Sequence, residues 1–251
     1  MGKIEFVGVD GCPSGWFSVG FDSFGGYELK VFPAFNELLD YYSEARLVLV
    51  DIPIGLPEGP GGRECDQEAR DKLKGRRSSV FSAPTRQTVQ KVAETPDDYG
   101  AAAYRAASET ERQYARRGIS KQTFAISHKI AQVDESLSKC GTRRTPNVRE
   151  VHPEICFWAL NNKRPMKYRK KSKSGQVERI RVLKTIEPRT EAIFQQGLSD
   201  FLRKCVARDD ILDALVAAVT ARYCHGRLKT IPECPPTDCK GLPMEMVYWE
   251  V

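Results

Sequence analysis

The chain has 251 residues, 41% of them hydrophobic, enough for one large domain or one domain with an insertion. No run of about 18 apolar residues occurs, so no membrane span is expected; the N-terminus lacks signal-peptide architecture, and eight scattered cysteines fit reduced thiols in the cytoplasm. The net charge is +6, but residues 163–184 carry ten Lys or Arg against one acid, Glu178, which makes the protein a near-neutral body with one basic arm and argues against a bulk polyanion binder.

In chain order, the apolar run from Ile4 to Val9 ends on Asp10. Residues 3–10, 15–22 and 27–33 are predicted as three strands joined by tight turns. Asp-Gly between two strands is also an ordinary hairpin signal, so Asp10 alone needs no role beyond the turn. Residues 34–45 have apolar positions at helical spacing and lead to 46–53, a continuously apolar run suited to a buried central strand. That run also ends on a carboxylate, Asp51. A Gly/Pro-rich loop follows. From Arg63 to about Ser138 the chain is polar and helical in character, with pieces predicted at 64–74, 86–94, 97–117 and 121–138. Residues 146–153 are predicted as a short strand and "EICFWALN" as a helix. Residues 163–184 are expected as a basic loop, with Lys167 to Lys173 mobile and exposed. "EPRTEAIFQQGLSDFLRKCVA" is expected to be helical in two parts. Residues 208–226 form the clearest helix, which starts on Asp residues and stops at Gly226; "MEMVYWEV" is a final strand.

Three meandering strands, a helix and a buried strand is the order of a ribonuclease H-like core. The expected fold is thus α/β, a mixed sheet with flanking helices in a single domain, with a helical insertion at about 63–140 between the fourth and fifth strands. In that arrangement the first and fourth strands are parallel neighbours, and Asp10 meets Asp51 at their C-terminal ends. The long last helix packs on the same sheet with Asp210 and Asp213 on one face. Asp209 as N-cap and Asp210 in the first turn are also explained by the helix dipole. Asp213 lies one turn deeper, among Ile211, Leu212, Ala214, Leu215 and Val216, where an unpaired carboxylate is costly.

Clustered carboxylates repel one another unless a cation is present. Oxygen ligands without thiolates suit Mg2+ or Mn2+, and two such ions about 4 Å apart can hold the attacking and leaving oxygens of a phosphodiester. The expected two-ion site has Asp10, Asp51, Asp210 and Asp213 as ligands, with Glu150 as a fifth catalytic carboxylate. Glu154 fits a first-turn acid after Pro153, and Glu150 is equally compatible with an exposed strand position. Arg63, Asp66, Arg70, Ser79 and His152 are candidates to line the cleft; His152 is either a proton carrier or a packing residue. Lys167, Arg169, Lys170, Lys171 and Lys173 are expected to bind nucleic-acid phosphates, with Tyr168 available for base stacking. Cys224, His225, Cys234 and Cys239 lie near one another in sequence, but their spacing matches no standard zinc knuckle.

Together "VGVDGCPSGW", "VLVDIPIGLP", "RECDQEAR", "SSVFSAP", "ISHKI", "EVHPEICF" and "DDILDALVAA" resemble a family of predicted RNase H-fold nucleases catalogued as domain of unknown function 429, over roughly residues 4–225. At its catalytic corner the family is similar to RuvC-type junction resolvases. Those have an Asp ending the first strand, an acid ending the fourth, and Asp-x-x-Asp on the last helix, which correspond here to Asp10, Asp51, and Asp210 with Asp213. The resemblance implies a metal-dependent nuclease. One departure is Asp51, where the resolvases have Glu; the shorter side chain bears on how a second metal is held. Two other functions stay open: a nucleic-acid-binding protein of this fold without turnover, and a phosphotransferase of the acetate- or sugar-kinase fold. The latter needs two such domains, and the chain has no G-x-G-x-x-G or P-loop pattern.

Overall fold

The computed structural model describes residues 2–95, 99–138 and 147–251. The first residues of the helix expected at 97–117, the last of the insertion expected at about 63–140, and Pro146 of the expected strand lie outside the described residues.

The strands β1 (Ile4–Cys12), β2 (Gly15–Asp22) and β3 (Tyr27–Phe32) form an antiparallel meander. Helix α1 (Phe35–Tyr41) leads into β4 (Leu47–Asp51), which pairs parallel with β1. Next come α2 (Glu64–Leu73), a 3-10 turn at Lys74–Ser79, α3 (Arg86–Ala93), α4 (Ala101–Ala115) and α5 (Lys121–Ser138). The chain then re-enters the sheet as β5 (Val148–Glu150), parallel to β4. The result is an α/β architecture around a five-stranded mixed sheet of order β3-β2-β1-β4-β5. Helices α6 (Pro153–Leu160), α7 (Lys173–Lys184), α8 (Thr190–Asp200) and α9 (Arg208–Tyr223) follow, then a two-stranded antiparallel sheet of β6 (Lys229–Ile231) and β7 (Met246–Tyr248). Among the described residues no helix is long and apolar enough to cross a membrane.

Strand alternation decides which side chains meet. Val7 and Val9 of β1 and Val48 and Val50 of β4 pack on one face of the sheet with α1 and α5. Phe6 and Cys12 of β1 and Leu47 and Leu49 of β4 pack on the other, with α6 and α9. By the same period of two, Asp10 and Asp51 belong to the α9 face, side by side in the β1/β4 register. Helix α9 is buried throughout Ile211–Ala221, as an apolar helix with no polar stripe must be. It lies very close to β1. A Cβ built on Gly8 would sit 2.1 Å from the Ala218 backbone nitrogen and 2.2 Å from the Ala214 carbonyl oxygen. Gly8 and the small residues of α9 therefore set the spacing that brings Asp213 to Asp10.

Three expectations need correction. The second half of the basic segment is helix α7 and not loop: Ser172 caps it by accepting the Gly175 N–H at 3.0 Å, and Leu183 is fully buried on its inner side. The segment after α8 is not a second helix. Phe201 leaves helical geometry (φ −121°, ψ 129°) and packs edge-on against Phe17 at 5.4 Å between ring centroids. The 163–173 stretch does not run free either, because the Glu178 carboxylate accepts the N–H groups of Lys167 and Tyr168 at 2.8 and 3.0 Å.

Candidate functional site

The parallel pairing of β1 and β4 ends at Asp10 and Asp51, and α9 crosses that edge with Asp213 in its second turn. One carboxylate oxygen from each of Asp10, Asp51 and Asp213 can be chosen so that all three lie within 4.8 Å of one another. They open on a cavity of about 320 Å³. Among the described residues this is the one His/Cys/Asp/Glu group with metal-holding geometry, so Cys224, His225, Cys234 and Cys239 do not form another.

Asp10 and Asp213 are 8% and 1% exposed. Burial, reinforced by the Asp51 and Asp213 charges, raises Asp10 well above the ordinary carboxylate range. Burial and Asp213 do the same to Asp51. Asp213 is raised by burial, while the Lys170 ammonium pulls it back. Asp213 Oδ2 accepts a hydrogen bond from Lys170 Nζ at 2.6 Å; its Oδ1 is buried with no hydrogen-bond partner.

Asp210 lines the same cavity but stands in the first turn of α9, where its Oδ2 accepts the Ala207 N–H at 2.8 Å. Burial, then Asp209 and Asp213, push it up to about 6. One of its oxygens is thus committed to capping the helix, and it stands outside the close triad.

Glu150 does not join the cluster. Both of its oxygens accept from Arg63, at 2.6 and 2.8 Å, and Oε2 also accepts the Ile54 N–H at 2.6 Å. Arg63 in turn donates to Asp66 at 2.6 Å and to the Ile54 carbonyl at 3.0 Å, and Asp66 Oδ2 accepts the Ala83 N–H at 2.9 Å. These three buried residues tie β5, the loop after β4, and α2 together, and Arg63 also lines the cavity, as expected from the sequence. Burial raises Glu150 to about 7 despite the opposing pull of Arg63. Arg70 is likewise structural, donating to the Val80 carbonyl and the Ser82 hydroxyl at 3.1 and 2.6 Å.

Ser79 and His152 line the cavity. His152 Nε2 lies 3.3 Å from the Ser79 carbonyl, which can only accept, so the proton sits on Nε2. Nδ1 is buried without a partner, and burial lowers the ring below its ordinary value, keeping it neutral. Of the five basic residues expected on phosphate, Lys167, Arg169, Lys171 and Lys173 are exposed, whereas Lys170 turns inward onto Asp213.

Lys129 of α5 was missed. It lines the cavity, donates to the Gly15 carbonyl at 2.6 Å and lies 5.0 Å from the centre of the Trp16 ring. Its signal was its position beside Ile130, on a helix whose buried side includes Ile130 and Val133. A lysine there must bury its stem and aim its ammonium at something polar.

A family model described as "Protein of unknown function (DUF429)" matches residues 8–237. No curated protein and no solved structure matches the chain.

Proposed function

The chain belongs to the DUF429 family, whose description names no chemistry, and from the site we propose that it is a divalent-metal-dependent nuclease on a ribonuclease H-like core. The observation that carries this is the approach of the Asp10, Asp51 and Asp213 carboxylates, the last fully buried, to within 4.8 Å of one another at the edge of two parallel strands. Such a group is self-repelling when ionised, and the donor set is all hard oxygen, which suits Mg2+ or Mn2+. The buried, unpartnered Asp213 Oδ1 supports the fit, since an orphaned carboxylate oxygen at such a site calls for a cation. Asp10, Asp51 and Asp213 would hold the ion, which when bound supplies Lewis-acid activation of water and of a phosphodiester.

The chain's own groups support a polyanionic substrate. Lys167, Arg169, Lys171 and Lys173 are exposed on the segment whose Lys170 reaches the acids, so the rim is cationic where the floor is anionic. His152, neutral with its Nδ1 lone pair uncommitted, is the candidate proton acceptor inside the cavity. Lys129, fixed by the Gly15 carbonyl, is a further cation lining the cavity.

The test is incubation of the protein with labelled single-stranded, duplex and branched DNA and with RNA, in Mg2+, Mn2+ or EDTA. Cleavage that needs the metal and disappears in Asp10→Asn is expected. Nucleic-acid binding without cleavage of any substrate would overturn nuclease function in favour of a binding protein.

A further inference from the structure

Lys170 sits between α6 and α7 on the arm that sequence assigns to phosphate, yet its ammonium lies 2.6 Å from Asp213 Oδ2 and 3.9 Å from Asp209. This placement is built. On one side Glu178 accepts the N–H groups of Lys167 and Tyr168. Arg179, itself buried and paired with Glu154, donates to the Tyr168 carbonyl at 3.3 Å. On the other side Ser172 caps α7. The backbone flanking Lys170 is held on both sides, so its stem is delivered to the cluster.

The ammonium changes what the cluster takes. Asp10, Asp51 and Asp213 carry three negative charges when ionised, which one ammonium and one divalent cation balance. Two divalent ions beside the same ammonium would carry more positive charge than Asp10, Asp51, Asp210 and Asp213 together supply, since Asp209 lies equally close to Lys171, at 3.9 Å, and Asp210 already gives one oxygen to its helix end. Asp213 shows the division of labour: Oδ2 faces Lys170 and Oδ1 has no partner. We propose that Lys170 takes the place of a second metal ion, so that the cluster binds one divalent cation per chain and the ammonium supplies the remaining positive charge. This rests on the metal-centre assignment above and replaces the two-ion arrangement with one ion and a lysine.

The experiment is titration of the full chain with Mn2+, by calorimetry and by electron paramagnetic resonance, counting only sites abolished by Asp10→Asn. The wild type and Lys170→Arg should bind one ion per chain. Lys170→Met and Lys170→Gln should bind two, with the first ion at least tenfold tighter than in the wild type. Lys170 is half-exposed, and melting curves check that each variant is folded. Two ions in the wild type, or one ion in both neutral variants, would overturn the inference and leave the metal centre standing. No such site in any variant would remove the metal centre, and the inference with it.

Discussion

Asp213 is 1% exposed on an apolar helix, a position that carries a carboxylate only when something compensates it. In the metal-free protein that compensation is partial, because Lys170 reaches Asp213 while burial and mutual repulsion raise Asp10 and Asp51. A carboxylate raised on folding stabilises the native state while protonated, and its contribution is lost as pH rises through the folded value. For Asp210 that window runs from the ordinary 3.8 to about 6. Asp10→Asn removes the same kind of strain, so in EDTA the variant should melt above the wild type at pH 8, with the gap closing towards pH 4. Each 1 kcal/mol regained raises Tm by about 2–4 °C in a chain of this size; a gap that does not change with pH would contradict the coupling. Cleavage by the same variant should fall beyond the roughly 10–100-fold loss that an outer partner of a metal ligand produces. Arg63 and Glu150 make the contrasting case. Arg63→Met leaves Glu150 and Asp66 buried and unpaired, and should cost about 3–5 kcal/mol in urea unfolding. The acids Asp10, Asp51 and Asp213 were legible because each interrupts or ends an apolar run. The commitment of Glu150 was not, since its partner Arg63 lies 87 positions away.

At the scale of elements, the contact between α9 and β1 is what assembles the site. Gly8→Val puts side-chain atoms where the Ala214 and Ala218 backbone lies, at distances no neighbour absorbs by a side-chain shift. It should destabilise by at least the roughly 1–3 kcal/mol of an overpacked core, and any folded fraction should lose Mn2+ affinity because Asp213 moves away from Asp10. Retained stability together with retained Mn2+ affinity would contradict this placement. Strands β1 to β4 and helices α2, α3 and α5 were readable to within two residues at each end, because their periodicity and turn residues are local signals. Helix α7 was masked by its charge: Val177, Ile180 and Leu183 keep helical spacing among the lysines, but the cap at Ser172 and the burial of Arg179 are set by tertiary contacts. The β6–β7 pair was only half legible. β7 reads as a strand, whereas three-residue β6 starts on exposed Lys229 and carries little pattern of its own.

Over the whole molecule, charge is divided between an acidic floor and a basic rim. Of the five arm residues expected on phosphate, four stay exposed once Lys170 turns inward, at positions 167, 169, 171 and 173. If each displaces one counterion from duplex DNA, they contribute about −3.6 to the log–log salt slope. Replacing these four with Ser should flatten the slope by about that much while leaving Mn2+ affinity unchanged; an unaltered slope would make the arm an ordinary solvated surface. Composition located this arm, and element order located the sheet. Neither showed that one of the arm's lysines folds back onto the acids, because that depends on Glu178 and Arg179 acting from α7. The most direct measurement of the central claim is anomalous diffraction from crystals soaked in Mn2+. The account predicts a peak at roughly 2 Å from oxygens of Asp10, Asp51 and Asp213. Saturating Mn2+ with no peak among those three carboxylates would contradict it.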